Sequence, residues 1–317
     1  MTHTKVTILG INGHVGHHAA KAFAAAGWDV TGFGRTNRHP VPGVRFVAGD
    51  ANDVDAMRAA IGESEVVVNA LNLPYDQWDK GRMEALYAGV VDAMGTSGKM
   101  MLFPGNIYNY DPAHRVVTPD LEQAPPTPRG AIRVRVEQML AAAAHRGDVQ
   151  VAILRAGDFY GPESEGDWFD TAILREAAKG KAAVLGARGV GHAWAYLPDV
   201  GRALEALARR RAELGAFETF HFAGHFKTPE AMAAAMTAAA PVPLKVSKFP
   251  WILVTLLGLT NPVMREVAKM GYLWQRPMEL RDGRLDALLG TDFNTPFEEA
   301  VAATVAPFFI KNVSEAA

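Results

Sequence analysis

The chain has 317 residues, 49% hydrophobic and 21% charged, an ordinary globular composition long enough to bury a core that supports a precise site. A net charge of −2 gives no bulk attraction to nucleic acid or an acidic membrane, and no basic stripe with interleaved aromatics suggests a nucleic-acid partner. The absence of cysteine excludes disulfides, a thiolate nucleophile and Cys-ligated metal.

The opening, MTHTKVTILGINGHVG, has neither a long apolar run nor a small-residue cleavage site, so no signal peptide is expected and the cytoplasm is the expected location. KVTILG (5–10) reads as a strand and HVGHHAAKAFAAAG (14–27) as a helix closed by Gly27. DVTGFGR (29–35) and VRFVAGD (44–50) read as strands, and DVDAMRAAIG (53–62) as a helix with Asp53 at its N-cap. SEVVVNAL (64–71), KMMLFPG (99–105) and VQVAILRAG (149–157) are apolar strands with little alternation, and a helix is expected over Arg129–Arg146. Such strands are buried on both faces, and their alternation with helices predicts an α/β fold, a doubly wound parallel sheet.

The second half is less regular. LPDVGRALEALARR (197–210) reads as a helix with Asp199 as its cap, and AFETFHFAG (216–224) as a strand. The remainder reads as mostly helical. The expected domains interleave: 1–157 with about 196–225 as the dinucleotide-binding sheet, and about 158–195 with 226–317 as a smaller substrate cap. WILVTLLGL, from Trp251, is too short to cross a bilayer, which needs about 20 residues. It reads first as a buried helix or pocket wall, second as a membrane-surface helix, and no membrane partner is expected.

Ligands of doubly wound sheets bind beyond the carboxyl ends of the strands. GINGHVG lies there, after one strand and opening a helix. Gly10 permits the tight turn, Gly13 lets backbone approach a pyrophosphate, and Gly16 lets the helix pack close to the sheet. Asn12, His14 and Val15 belong to the same turn, whose N–H groups and helix dipole favour phosphate. NAD-preferring sites place an acid after the second strand, yet no Asp or Glu occurs between Val30 and Val47. Arg35 and Arg38 stand there, which favours NADP(H) over NAD(H) through a 2′-phosphate, unless they are merely solvated. Asp50 and Ala51 follow the third strand, where Asp50 reads as an adenine contact or a helix cap. Ala70, Leu71 and Asn72 follow the fourth strand, and Pro104 ends the fifth.

In this order the motifs resemble the extended short-chain dehydrogenase/reductases, the NAD-dependent epimerase/dehydratase group, over most of residues 4–225. GINGHVG looks like GxxGxxG, GDAND like the acidic motif after strand three, ILRAGDFYGP (153–162) like R-x-x-x-x-Y-G-P, and AYLPDVGRAL (195–204) like a strand-to-helix junction of the group. LFPGNIYNY sits where the group has its Ser/Thr-bearing strand end and a VYG-like turn. The resemblance implies a Rossmann-type sheet, a nicotinamide cofactor, a substrate cap and a homodimer through sheet-flanking helices.

The group's Tyr-x-x-x-Lys is missing. Aligned on Glu137, RGAIRVRVE puts Arg133 at the lysine position and Arg129 at the tyrosine position, on one helical face. Arg133 can still bind the nicotinamide ribose. Arg129 cannot act as acid/base, because arginine keeps its proton, but it can hold an anionic substrate. This pattern resembles the atypical branch of the superfamily.

Hydride transfer to a carbonyl needs a proton donor and benefits from positive charge near the developing alkoxide. Tyr108 is the candidate donor, Asn106 the polarising group, and Arg133 the cation that lowers the Tyr108 pKa; the alternative is that Tyr108 packs in the core. Tyr110, Arg129, Asp158, Tyr160, His192 and Trp194 are the candidate substrate contacts, with Trp168 and Tyr196 as further walls. No metal is expected: His14, His17 and His18 crowd a phosphate-binding helix start without a carboxylate, and His221 and His225 straddle a strand end. The expected activity is NAD(P)-dependent oxidoreduction or epimerisation of a small polar carbonyl or hydroxyl substrate. The alternative is an NADP(H)-binding sensor without turnover.

Overall fold

The computed structural model describes residues 4–163 and 166–310. The start of the opening segment, Ser164 and Glu165 of the expected pocket stretch, and the end of the expected cap lie outside them. The chain divides into two compact units.

The first unit runs to Tyr110 and adds Glu122–Arg155 and Pro198–His221. Its strands are β1 (Lys5–Leu9), β2 (Asp29–Gly34), β3 (Val44–Ala48), β4 (Val66–Asn69), β5 (Met100–Gly105), β6 (Gln150–Arg155) and β7 (Phe217–His221). They form one seven-stranded sheet in the order β7-β6-β5-β4-β1-β2-β3. Every pairing in it is parallel. Parallel neighbours need long crossovers, supplied by helices α1 (His14–Ala25), α2 (Val54–Ile61), α3 (Arg82–Met94), α4 (Pro128–His145) and α5 (Leu197–Arg209). The fold is therefore the expected Rossmann-type α/β architecture. Helix α3 adds to the sequence reading, which left β4 and β5 without their crossover; Met83, Tyr87, Val90 and Met94 bury one of its faces.

Central strands carry apolar runs because both faces are covered: all four residues of β4 are buried, as are Met100–Phe103 of β5. Asp53 caps α2 through the Ala56 N–H at 3.0 Å, as its position predicts. Asp199 does not cap α5. The helix begins at Leu197, so Asp199 falls inside its first turn, buried and paired with Arg202 at 2.6 Å. A Cβ at Gly201 would sit 2.5 Å from the His18 carbonyl oxygen, which is why a small residue lets α5 press against α1.

The second unit comprises Asp111–Leu121, Ala156–Leu197 and the residues from Phe222 onward. It holds more strand than the sequence patterning predicts. His192–Tyr196 is the middle of a three-stranded sheet, parallel to Asp158–Tyr160 and antiparallel to His225–Lys227. Lys181–Val184 pairs in parallel with Lys245–Lys248, and Val116–Val117 with Glu279–Leu280. Helices Pro229–Ala239, Trp251–Leu257, Pro262–Lys269, Gly283–Leu289 and Phe297–Val305 complete it. The Trp251 run is a helix, but not a buried one: Val254 is buried while Ile252, Leu253, Leu256 and Leu257 are exposed. No helix among the described residues is long and apolar enough to cross a membrane.

Candidate active site

The sheet order reverses between β1 and β4, and the glycine turn lies at that point. Gly10 has φ +81°, and a Cβ there would lie 2.9 Å from the Ala70 carbonyl oxygen; one at Gly16 would lie 2.2 Å from the Gly10 carbonyl oxygen. Both positions therefore exclude a side chain. Gly13 is the N-cap of α1, supplies no side-chain acceptor, and no acid stands in the first turn with His14, Val15 and Gly16. An uncapped, acid-free helix start beside a strand end is a cradle suited to phosphate.

Asn12 works as a staple. Its Nδ2 donates to the Thr36 carbonyl and its Oδ1 accepts from the Arg38 N–H at 3.0 Å, tying the glycine turn to the loop after β2. That loop exposes Arg35 and Arg38, and neither side chain pairs with an acid among the described residues. Asp50 is not the cap of α2; its Oδ1 accepts from the Asn52 N–H at 2.9 Å and Nδ2 at 2.8 Å, shaping the turn that contains Ala51.

Ala70, Leu71 and Asn72 run beside Gly10. The Ala70 N–H donates to the Leu9 carbonyl at 3.0 Å, and the Leu71 carbonyl accepts from the Tyr87 hydroxyl at 2.8 Å. Arg133 donates to Asn72 Oδ1 at 3.3 Å and to the Tyr87 hydroxyl at 3.2 Å. Its guanidinium lies 4.5 Å from the Trp78 ring centre and 5.6 Å from that of Phe103. It is buried, and among the described residues it has no carboxylate partner and its Nε meets no acceptor. Pro104 lies in β5, paired in register with Leu154.

Arg129, Arg133 and Glu137 are all buried on one face of α4, as their spacing predicts. Thr127 caps this helix, accepting from the Gly130 N–H at 3.2 Å, with Pro128 at its first position. Gly130 lets the helix close on the loop after β5, since a Cβ there would lie 2.1 Å from the Tyr108 carbonyl oxygen. Arg129 donates to the Tyr75 carbonyl and lies over the Tyr75 and Trp78 rings.

Tyr108 is buried in the short turn after β5, with its hydroxyl 2.7 Å from that of Tyr75. Asn106 Oδ1 accepts from the Tyr108 N–H at 3.1 Å, so the amide oxygen shapes the turn, and only its Nδ2 remains for polarising a carbonyl. Tyr75 was missed in the sequence. It belongs to no motif, and its pairing with Tyr108 joins residues 33 apart. The arginines lie against Tyr75 and Trp78, and the Tyr108 hydroxyl meets that of Tyr75.

Tyr110, a candidate substrate contact, is enclosed. Its hydroxyl is 3.2 Å from His221 Nε2, and the Arg155 guanidinium lies 5.1 Å from its ring centre. Burial pushes its phenol above the ordinary value, although Arg155 pulls the other way. Fully buried Arg155 pairs with Glu137 at 2.8 Å and donates to the Asn106 carbonyl. Burial opposes the Arg155 charge, but the Glu137 carboxylate and Tyr110 together outweigh it and hold the pKa above its ordinary value.

In the second unit the structure brings Asp158, Tyr160, His192 and Trp194 together, in a packed core. His192 stacks on Trp274 with centroids 3.8 Å apart, while its Nε2 reaches Asp158 at 2.7 Å and its Nδ1 the Leu273 carbonyl at 3.2 Å. Tyr160 lies 2.7 Å from His225 Nδ1, and His225 Nε2 lies 2.9 Å from the Thr295 carbonyl. A carbonyl only accepts, so His225 carries its proton on Nε2 and accepts from Tyr160 on Nδ1. Tyr196 packs 5.3 Å from Tyr160, and Trp168 5.9 Å from Trp274. A separate open cavity of about 500 Å³ is lined by Leu185, Lys248, Phe249, Trp251, Gln275 and Arg276; of these, Trp251 opens the run whose sequence reading included a pocket wall.

A parallel sheet in this order, with a side-chain-free glycine cradle at its switch point, defines a Rossmann-type dinucleotide fold. The chain belongs to the NAD dependent epimerase/dehydratase family, whose sequence model matches residues 6–222. No curated protein matches it by sequence. Among solved structures it is similar to MoeE5 in complex with UDP-glucose and NAD, at 17% identity and TM-score 0.75 over 98% of this chain and 99% of that one. It is also similar to the Bordetella bronchiseptica enzyme WbmH in complex with NAD+, at 19% identity and TM-score 0.72 over 98% and 99%. A UDP-glucose-4-epimerase from Stenotrophomonas maltophila with bound NAD and formylated UDP-arabinopyranose is 18% identical, with TM-score 0.76 over 99% and 100%. At these identities the likeness carries the fold.

Proposed function

We infer that this chain is a nicotinamide-dependent oxidoreductase or epimerase-like enzyme acting on a carbonyl or hydroxyl of a small polar substrate. The first unit is the dinucleotide-binding domain in this reading, and the second holds the substrate. The observation that carries it is the convergence of the Gly10–Gly16 cradle, the Ala70–Asn72 loop and Arg133, a buried cation with a donor left over. When bound, the cofactor supplies hydride acceptance and donation. Gly10, Gly13 and Gly16 with the first N–H groups of α1 would hold the diphosphate, and Arg133 would donate toward the nicotinamide ribose. Arg35 and Arg38, with no acid to pair them, support NADP(H), although the similar structures named above carry NAD.

The Tyr108 hydroxyl gives up or receives the proton as the substrate oxygen changes charge, and the Tyr75 hydroxyl replenishes it. Nucleotide sugars, the ligands of two of the similar structures, are the first substrates to screen. The second reading, a cofactor-binding sensor without turnover, is favoured by the burial of Tyr108 and the loss of Tyr-x-x-x-Lys.

The test is titration with NADPH and NADH, followed by a turnover screen with carbonyl compounds and nucleotide sugars. NADPH is expected to bind more tightly, and Arg35→Ala to weaken it by roughly tenfold or more. Tyr108→Phe is expected to lower turnover about 100-fold with cofactor affinity kept. Tighter NADH binding overturns the NADP(H) preference. Equal turnover in Tyr108→Phe removes the tyrosine role, and binding without any turnover assigns the sensor.

A further inference from the structure

Most apolar side chains of the second unit are packed, but one segment reverses the pattern. Helix Trp251–Leu257 presents Ile252, Leu253, Leu256 and Leu257 to solvent, four residues spaced to share one helical face, and Leu259 extends the stripe. Ile252 is 80% exposed and Leu259 74%, far beyond what scattered surface leucines require. The segment is nonetheless built. Trp251 Nε1 donates to the Leu185 carbonyl at 2.8 Å, and Arg265 Nε to the Gly258 carbonyl at 2.9 Å, joining this helix to Pro262–Lys269 in a hairpin. The apolar face is thus held outward by polar anchors at both ends.

Charge says what covers it. Between residues 241 and 276 the chain has Lys245, Lys248, Arg265, Lys269 and Arg276 against the single acid Glu266, in a protein whose net charge is −2. Glu266 is taken by Lys269 at 2.7 Å, while Lys245, Lys248 and Arg276 pair with no carboxylate among the described residues. Lys248, Trp251 and Arg276 line one cavity, so basic residues flank the start of the apolar helix. A leucine-rich face beside unpaired cations matches an anionic bilayer surface, where apolar side chains enter the acyl boundary and cations meet the headgroups. A second copy of the chain would bring the same excess of positive charge to the same face, which opposes self-docking.

We propose that the hairpin of residues 251–269 docks this protein on an anionic lipid surface. The sequence expectation of no membrane partner rested on a span too short to cross and on the net charge of the whole chain; surface docking needs no crossing, and the local charge of this segment is positive. The proposal is independent of the cofactor reading.

Flotation of the full chain with phosphatidylcholine vesicles, with and without about 30 mol% phosphatidylglycerol, tests it. Partition is expected to be on the order of 100-fold stronger with the anionic lipid, and to fall as salt rises. Ile252→Glu with Leu256→Glu should reduce it to the neutral-vesicle level, with a thermal melt confirming the fold. Lys248→Ala alone should weaken it about fivefold, an arm that survives failure of the double variant to fold. Equal partition into both vesicles overturns the proposal, as does full binding by a folded double variant. A dimer in analytical ultracentrifugation that the double variant dissociates assigns the face to a second copy, and also overturns it.

Discussion

The buried face of α4 in the first unit and the histidine–tryptophan core of the second both set ionisable groups among aromatic rings, with different outcomes. An imidazole can sit buried as a neutral ring, and His225 does so with one nitrogen donating and the other accepting. His192 engages both nitrogens as well, with the Leu273 carbonyl and the Asp158 carboxylate, and stacks on Trp274. A guanidinium has no neutral form in proteins and must be answered from outside. Glu137 answers Arg155, whereas among the described residues Arg133 meets rings, an amide and a phenol but no carboxylate, and keeps one buried donor without an acceptor. Trp274 Nε1 also lacks a partner among the described residues, but a neutral indole N–H costs less to bury than a charged donor. The difference is one of charge: the polar atom left over in the second core is a neutral indole N–H, while the one left over on the α4 face belongs to a cation.

Three substitutions can break that distinction. The largest effect is expected from Glu137→Leu, which strands the Arg155 charge in the interior and should cost about 3–5 kcal/mol in urea unfolding. A loss below about 1 kcal/mol would mean that the pair does not hold the sheet to α4. Next, His192→Ala should lose about 2–4 kcal/mol through its stack and two hydrogen bonds, with cofactor affinity unchanged. Arg133→Met should do the reverse, changing stability by less than about 1 kcal/mol while weakening cofactor binding roughly tenfold. Equal destabilisation by both, with equal cofactor affinity, would make Arg133 scaffold as well.

The smallest effect concerns Asp286, whose carboxyl partial burial and the nearby Asp282 raise above its usual value. Its folded form holds the proton more tightly than the unfolded chain, so its contribution favours folding in acid and is lost as pH rises through the raised value. Asp286→Asn should therefore stabilise slightly at neutral pH, within about 0.5 kcal/mol because solvent screens so exposed a group, and leave acid stability unchanged. A pH series of melting temperatures checks the sign.

Much of the first unit was legible because its signals are local. Three glycines after an apolar run, an N-cap aspartate, and strands without polar alternation each state their structure within a few residues. The same holds for Arg129, Arg133 and Glu137, whose spacing of four predicts one face before any partner is known. The helix Arg82–Met94 was legible by the same rule and went unread. Tyr75 was not legible, since nothing near it in sequence points to Tyr108.

By itself, the sequence determined the parallel sheet, its glycine cradle and the shared face of the two arginines, because backbone sterics and helical periodicity act over neighbouring residues. Tertiary structure alone decided which polar groups answer one another. Glu137 went to Arg155 and left Arg133 open, Asp158 met His192, and Tyr75 met Tyr108. It also decided that the apolar run after Trp251 would face outward. Local pattern records that a side chain is apolar or charged; whether anything covers or answers it depends on which distant element arrives beside it.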